Sequence, residues 1–396
     1  MLFAGGLFMT VDENRCLNHL HHEVGCNHCV SHCPGHALKV EQHRICLDRD
    51  RCLGCGLCFA DCPTEVFRSD QWQETTIIDE VKRQGAAVTQ FFCGYNDAPF
   101  RLQGDREKGA VQVPTCLSSI SKGGWFEIGL LTAVELRFEK CCQCPMKDSL
   151  KRLKLAVETA MEWIAACGRS CEFSYVHKAE TVTKRKQLKA APTGLKVTSR
   201  RDLFLYLFQQ GKQAARQVWE KEALPHARRC KKPGTGSCLP SWQIRLEESY
   251  RSHFQEGGSP AYWPSIVKED RCVNCGLCSD NCPVQALQVK VEGGKAQHIF
   301  TPGLCLDCRL CFLFCPTKSI TRDRQPNAHP FAPQVILEKE AAPCRRCGQY
   351  TFPGSGPLCY WCRHEPSEED LLSDAWKHLF RQEAGKVYPS RARAVL

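Results

Sequence analysis

Hydrophobic positions in the middle of the chain alternate between two periods. Thr75–Gln84 carries helical spacing and is closed by Gly85, a residue suited to the left-handed turn that ends helices. Ala86–Phe92 then reads as a strand ending at Cys93, and Gly109–Pro114 as a second ending at Cys116. A helical stretch follows to about Ala133, then a short strand Val134–Glu139, then Cys141-Cys142-Gln143-Cys144-Pro145. Leu150, Leu153, Val157, Met161 and Ile164 mark one apolar face of a long helix. Strands alternating with helices imply a parallel sheet with right-handed crossovers, whose ligands gather at the carboxyl ends of the strands. Cys93, Cys116 and the Cys141/Cys144 pair all fall at those ends. Further on, Ser199 and Asp202 form a capping box before an amphipathic helix to about Leu224, and Ser367 caps a final helix through roughly Glu383.

On either side of this segment, cysteine spacing is the dominant signal. Thirty of 396 residues are cysteine. Cys272-Val-Asn-Cys275-Gly-Leu-Cys278 is followed by Cys282-Pro283, and Cys305-Leu-Asp-Cys308-Arg-Leu-Cys311 by Cys315-Pro316. Each is the C-x2-C-x2-C-x3-C-P run that holds a [4Fe–4S] cluster, the fourth cysteine serving the other cluster. The ligand sets are then Cys272, Cys275, Cys278 with Cys315, and Cys305, Cys308, Cys311 with Cys282. Zinc knuckles and disulfides lack this third-cysteine rhythm. Residues 263–325 thus resemble the bacterial two-cluster ferredoxins. A second copy spans residues 1–70. Its run Cys52, Cys55, Cys58, Cys62 is complete, whereas Cys26, Cys29, Cys33 lacks a first cysteine, Glu23 standing in that place. Cys16 is the natural replacement, reached over a longer loop. The expected sets are Cys16, Cys26, Cys29, Cys62 and Cys52, Cys55, Cys58, Cys33. Cys46 is expected to be a small buried hydrophobe, and His28, His32 and His36 to be surface positions.

Four thiols at the edge of a sheet could hold a cluster or a zinc ion, could be unligated core cysteines, or could include a dithiol pair at Cys141/Cys144 with a thiol pKa depressed by the following helix N-terminus. The arrangement resembles the small hydrogenase iron–sulfur module typified by the delta subunit of methyl-viologen-reducing hydrogenase. That resemblance implies a [2Fe–2S] cluster on Cys93, Cys116, Cys141 and Cys144 and a link to a heterodisulfide-reductase-type flavoprotein, although the Cys141/Cys144 loop departs from the family's sequence. Near the C-terminus, Cys344-Arg-Arg-Cys347 and Cys359-Tyr-Trp-Cys362 have the spacing of a closed tetrahedral zinc ribbon, with a rubredoxin-like iron as the rival. Cys167, Cys171, Cys230 and Cys238 have no ligand spacing.

The formal charge of +10 would ordinarily raise nucleic acid as a partner. Four clusters of about −2 each, with a four-cysteine zinc site of about −2, offset most of it. The basic runs Lys184–Lys189, Arg200–Arg201 and Arg228–Lys232 come without a nucleic-acid-binding signature. No signal peptide or membrane span is legible, so a cytoplasmic protein is expected. No G-x-G-x-x-G and no G-x4-G-K-[S/T] marks a flavin, nicotinamide or nucleotide site. The expectation is an α+β multidomain chain: two bacterial ferredoxin-like domains (1–70 and 263–325), a central α/β parallel-sheet module (71–171), a basic helical connector (172–262) and a zinc ribbon with a C-terminal helix (326–396). Its expected role is to relay single electrons between a low-potential donor and a partner redox enzyme. The expected partners are redox proteins: a hydrogenase, a formate dehydrogenase or a heterodisulfide-reductase-like protein. The alternative is a reductase or dithiol enzyme using the central cysteines.

Overall fold

The structure is a computed structural model that describes residues 9–21, 24–69, 71–96, 100–101, 108–177, 186–187, 191–192, 238–253 and 258–364. The helices expected from Ser199 and Ser367, the three basic runs and Cys230 lie essentially outside these residues.

Two segments share one plan. In the N-terminal copy Thr10–Val11 pairs antiparallel with Phe67–Arg68, and Leu38–Glu41 forms a hairpin with Arg44–Leu47. In the C-terminal copy Ser265–Lys268 pairs with Ile320–Asp323, and Leu287–Glu292 with Lys295–Phe300. One-turn helices at His28–Ser31, Leu57–Asp61, Leu277–Asp280 and Leu310–Leu313 stop just short of each Cys-Pro pair, where the missing proline N–H cannot extend them. The C-terminal copy has an added strand, Gln334–Glu340, antiparallel to Lys295–Phe300 with a register shift at His298/Ile299.

Between the copies lies a five-stranded parallel sheet. Its order is Ala191–Pro192, Lys108–Val113, Val88–Cys93, Ala133–Arg137, Phe173–Val176. The first strand in the chain is flanked by the second on one side and the third on the other, so the crossover direction reverses there. In open α/β sheets the crevice at that switch is where ligands sit. The sheet runs past residue 171, where the central module was expected to end, to take in Phe173–Val176 and Ala191–Pro192.

The flanking helices are Glu74–Gln84, Lys122–Gly129 and Leu150–Ala166. Gly85 closes the first with φ +56°, and Ser121 caps the second by accepting from Gly124 N–H at 2.9 Å. One expectation is corrected on the long helix. Met161 is 40% exposed, and Ala160 and Trp163 take its place beside Leu153, Val157 and Ile164. At about 100° per residue, the two neighbours draw the buried stripe away from Met161.

A helix at Ser241–His253 completes the core by packing on Lys122–Gly129. Arg245 reaches Glu74 at 2.5 Å and Glu127 at 2.8 Å, and Leu246 and Tyr250 enter the core of the sheet module. Trp263, at the entrance to the C-terminal copy, stacks on Trp163 with ring centroids 5.3 Å apart and rings 4° from parallel. The core of the sheet module is therefore continuous with the lead-in to the C-terminal copy. Among the described residues, no helix is long and apolar enough to cross a membrane.

Candidate metal centres

The N-terminal copy gathers its cysteines in two interleaved groups. Burial, reinforced by Cys62, Cys26 and Cys16 beside it, pushes the Cys29 thiol up to about 12. Burial, with Cys62 and Cys16 beside it, raises Cys26. Cys16 stands beside Cys26, Cys29 and Cys62. The long loop leading from it is clipped by Asn18, whose Nδ2 donates to Cys26 O at 2.7 Å while its Oδ1 accepts from Cys26 N–H at 2.7 Å. No spacing rule points to Asn18; an Asx pair across an eight-residue loop is visible only in three dimensions. The second group holds Cys55, which burial, with Cys116, Cys33 and Cys52 alongside, pushes up to about 12. Burial also raises Cys58, which has Cys55, Cys52, Cys29 and Cys33 around it, so the two groups adjoin at Cys29 and Cys58.

The C-terminal copy repeats this arrangement. Burial, with Cys278, Cys272 and Cys315 as neighbours, raises Cys275. In the other group, burial with Cys282 and Cys308 close by pushes Cys305 up to about 12, and burial with Cys282 nearby pushes Cys308 up to about 11. Cys311 is raised by burial and by Cys305, Cys308, Cys282 and Cys278, which makes it the point where these groups meet. Backbone N–H groups point at several sulfurs: Ala37 at Cys33 (3.3 Å), Val66 at Cys62 (3.4 Å), Asp307 at Cys305 (3.4 Å) and Ser319 at Cys315 (3.3 Å). Thiols held protonated by burial become thiolates on ligation, because the metal's charge replaces the proton. N–H groups aimed at sulfur stabilise that thiolate.

At the switch point of the sheet, Cys93 ends its strand, Cys116 follows the next, and Cys141 and Cys144 follow the third. Asn96 lies beneath them, 5% exposed. Its Nδ2 donates to Arg137 O at 3.1 Å and lies 3.6 Å from Cys93 Sγ and 3.7 Å from Cys141 Sγ. Burial, with Cys93, Cys116 and Cys144 as neighbours, pushes Cys141 up to about 12, and burial also raises Cys144. The expected depression of a thiol pKa by a helix N-terminus is thus not found. A 3-10 turn at Lys147–Ser149 separates Cys144 from the helix that begins at Leu150. Cys142 points outward. Cys46 also differs from expectation: it is exposed, because in the alternating hairpin Ile45 takes the inward side. Cys167 and Cys238 are buried, and Cys171 is half-buried.

Cys344, Cys347, Cys359 and Cys362 have their sulfurs within 4.8 Å of one another, the only such group among the described residues. Tetrahedral ligation at about 2.3 Å per bond asks for sulfurs about 3.8 Å apart, so this group suits a single ion. The Cys359 N–H, 3.2 Å from Cys344 Sγ, holds the Cys344 thiol down to about 6. The knuckle rests on the C-terminal copy. Trp361 Nε1 donates to Cys275 O at 3.2 Å, and Asn274 Nδ2 donates to Tyr350 O at 2.9 Å.

The groups also meet across modules. Cys116 N–H donates to Cys55 O at 3.1 Å, and Cys55, Leu57, Cys93, Cys144 and Met146 form one buried cluster. A cleft of about 680 Å³ is lined by residues of both copies, among them His28, Cys62, Cys305 and Asp307. Nearby, the rings of His21 and Phe314 approach to 5.6 Å.

A family model described as a 4Fe-4S dicluster domain matches residues 24–66 and again 271–319. A ferredoxin of Pyrobaculum islandicum is 37% identical over 57 residues, 14% of this chain and 50% of that protein. An uncharacterized ferredoxin of Methanocaldococcus jannaschii is 38% identical over 56 residues, 14% of this chain and 71% of that protein. One component of the ferredoxin:CoB-CoM heterodisulfide reductase of Methanosarcina mazei is 29% identical over 89 residues, 19% of this chain. The chain spans half the length of the Pyrobaculum protein and 11% of the Methanosarcina one.

Proposed function

The chain belongs to the ferredoxin family, carrying the 4Fe-4S dicluster domain twice, and on that premise we propose that it is an iron–sulfur electron-transfer protein joining two redox partners. The ligand sets are Cys16/Cys26/Cys29/Cys62, Cys33/Cys52/Cys55/Cys58, Cys272/Cys275/Cys278/Cys315 and Cys282/Cys305/Cys308/Cys311. All four are thiol-only, and buried or half-buried, which suits [4Fe–4S] clusters. Cys93, Cys116, Cys141 and Cys144 hold a further centre. They do not form a group as close as the knuckle sulfurs, which argues against a single ion, and the [2Fe–2S] reading follows from the resemblance of this module to the hydrogenase iron–sulfur family. The knuckle holds zinc, with four cysteines and no open position for chemistry.

When bound, each cluster supplies a site that gains and loses one electron. The protein's own residues set the order of those sites. The observation that carries the reading is the succession of neighbouring cysteine groups from the sheet to the C-terminal copy. The central cysteines touch the Cys55 loop, Cys58 lies by Cys29, Cys62 and Cys305 line one cleft, and Cys311 lies by Cys278. Buried apolar side chains such as Leu57, Phe67, Leu287 and Phe300 keep water from the sulfurs. The partners are redox proteins: a hydrogenase or formate dehydrogenase, and a heterodisulfide-reductase-type protein.

The test is metal analysis of anaerobically purified protein with EPR of the reduced form. About eighteen irons per chain and one zinc are expected, sixteen of the irons in four [4Fe–4S] clusters. Sixteen would remove the central cluster alone. Far fewer in fully loaded protein would sink the four-cluster assignment. Cys16→Ser should selectively weaken one N-terminal cluster.

A further inference from the structure

The two ferredoxin copies can be aligned on their pairing registers, and around one ligand set the matched residues differ in kind. Val11 lies opposite Phe67, and Ile45 opposite Val40. Counted from Cys62 and Cys315, and from Cys33 and Cys282, their counterparts are Lys268 opposite Ile320 and His298 opposite Val289. Val66, four residues after Cys62, is matched by Ser319, four after Cys315. Where the N-terminal copy packs hydrocarbon against Cys16, Cys29 and Cys62, the C-terminal copy has an ammonium, an imidazole and a hydroxyl.

The ammonium and the hydroxyl reach ligand sulfurs, and the imidazole holds the ammonium. Lys268 is 7% exposed and its Nζ donates to Cys278 Sγ at 3.0 Å, with His298 Nδ1 as its other acceptor. Because His298 accepts there, its Nε2 carries the proton and donates to Asn274 Oδ1 at 2.9 Å. Asn274 is anchored in turn on the knuckle through Tyr350 O. Ser319 Oγ lies 3.5 Å from Cys315 Sγ. Among the described residues no carboxylate is in ion-pair reach of Lys268, so the anion that compensates this buried cation is the ligand set itself. A buried charge demands such a partner. The other donors described on ferredoxin-type sulfurs are backbone N–H groups and hydroxyls.

A cation and added hydrogen bonds at sulfur favour the more negative, reduced form of a cluster. We propose that Lys268, aided by Ser319, makes the Cys272/Cys275/Cys278/Cys315 site the most oxidising of the four ferredoxin-type sites, so that the end of the chain beside the four-cysteine knuckle receives the electron. His298 and Asn274 are positioning residues that hold the ammonium on Cys278. The proposal rests on the ferredoxin reading of these cysteines and adds a direction to it.

The experiment is an EPR-monitored potentiometric titration of the anaerobically loaded full chain, wild type against Lys268→Met, with iron counted in each. Lys268→Met should lower the reduction equilibrium constant of the highest-potential component at least tenfold, about 59 mV for a one-electron couple, and leave the others in place. Lys268→Arg should keep that component within threefold of wild type. If Lys268→Met does not retain its iron, Ser319→Ala decides by a threefold fall in the same component. A full complement of irons with no shift, or a shift confined to a lower-potential component, would overturn the assignment of direction. A wild-type count well below sixteen irons would instead overturn the ferredoxin reading on which it depends.

Discussion

At the scale of single residues, side chains beside the cysteines decide how the ligands are held. Asn18 closes the loop between Cys16, the proposed ligand, and Cys26, and its removal leaves the Cys26 N–H and C=O without their partners. Asn18→Ala is expected to cost about 1–3 kcal/mol of local stability. Under chelator challenge it should release the iron of one N-terminal cluster first, the same cluster whose EPR signal Cys16→Ser removes. The knuckle yields a pH prediction. Cys344 is held down to about 6 by the Cys359 N–H, so its thiolate persists above that pH and is lost as pH falls through it. A depressed pKa of this kind favours the folded state above the ordinary thiol range and ceases to do so below about 6. The apparent zinc affinity of the full chain, measured by chelator competition, should therefore fall more steeply by one proton below about pH 6 than above it.

At the scale of elements, docking contacts matter more than the elements themselves. Gly56 has φ +76°, and a Cβ there would come within 2.8 Å of Ser119 Cβ and 3.1 Å of Thr115. The matching residue in the C-terminal copy, Arg309, adopts φ +61° with a full side chain, so it is the close approach to the Cys116 loop that demands glycine here. Gly56→Ala should destabilise the protein by about 1–3 kcal/mol, read from denaturant midpoints, and perturb the cluster on Cys55 and the central centre together. The Ser241–His253 helix is held by Arg245 between Glu74 and Glu127, carboxylates that are largely buried. Removing the guanidinium leaves both without their cation, so Arg245→Met is expected to cost about 3–5 kcal/mol. The conservative Glu127→Gln should cost less, because burial already raises the Glu127 carboxyl.

At the scale of the whole molecule, the knuckle and the C-terminal copy behave as one unit. Trp361 and Gln349 both donate to Cys275 O, at 3.2 and 3.4 Å, and Phe352 packs with Cys272. Cys362→Ser should therefore lose zinc and also raise the oxygen lability of the Cys272/Cys275/Cys278/Cys315 cluster. Loss of its EPR signal in air would be faster than in wild type, while the N-terminal signals decay as before. Decay of that C-terminal signal at the wild-type rate would show that the contact carries no protection.

The two 4Fe-4S dicluster domains were legible in the sequence because their signal is local: in three of the four proposed sets, three cysteines lie within seven residues, and a proline marks the fourth. The parallel sheet was legible for a similar reason, since alternating periods over residues 74–166 leave few topologies open. Other features depend on atoms far apart in the chain. Met161 points outward because Trp163 and Ala160 fill the face, and Cys46 is exposed because Ile45 takes the core side of its hairpin. Lys268 and His298 are an ordinary lysine and histidine in the sequence. Only the pairing registers show that they replace two apolar residues beside one ligand set. The pattern of ligands determines where metal goes, because each loop must wrap its own site. The order of the sites, and the charge each one experiences, arise when the copies pack against one sheet, because they depend on contacts between segments distant in sequence.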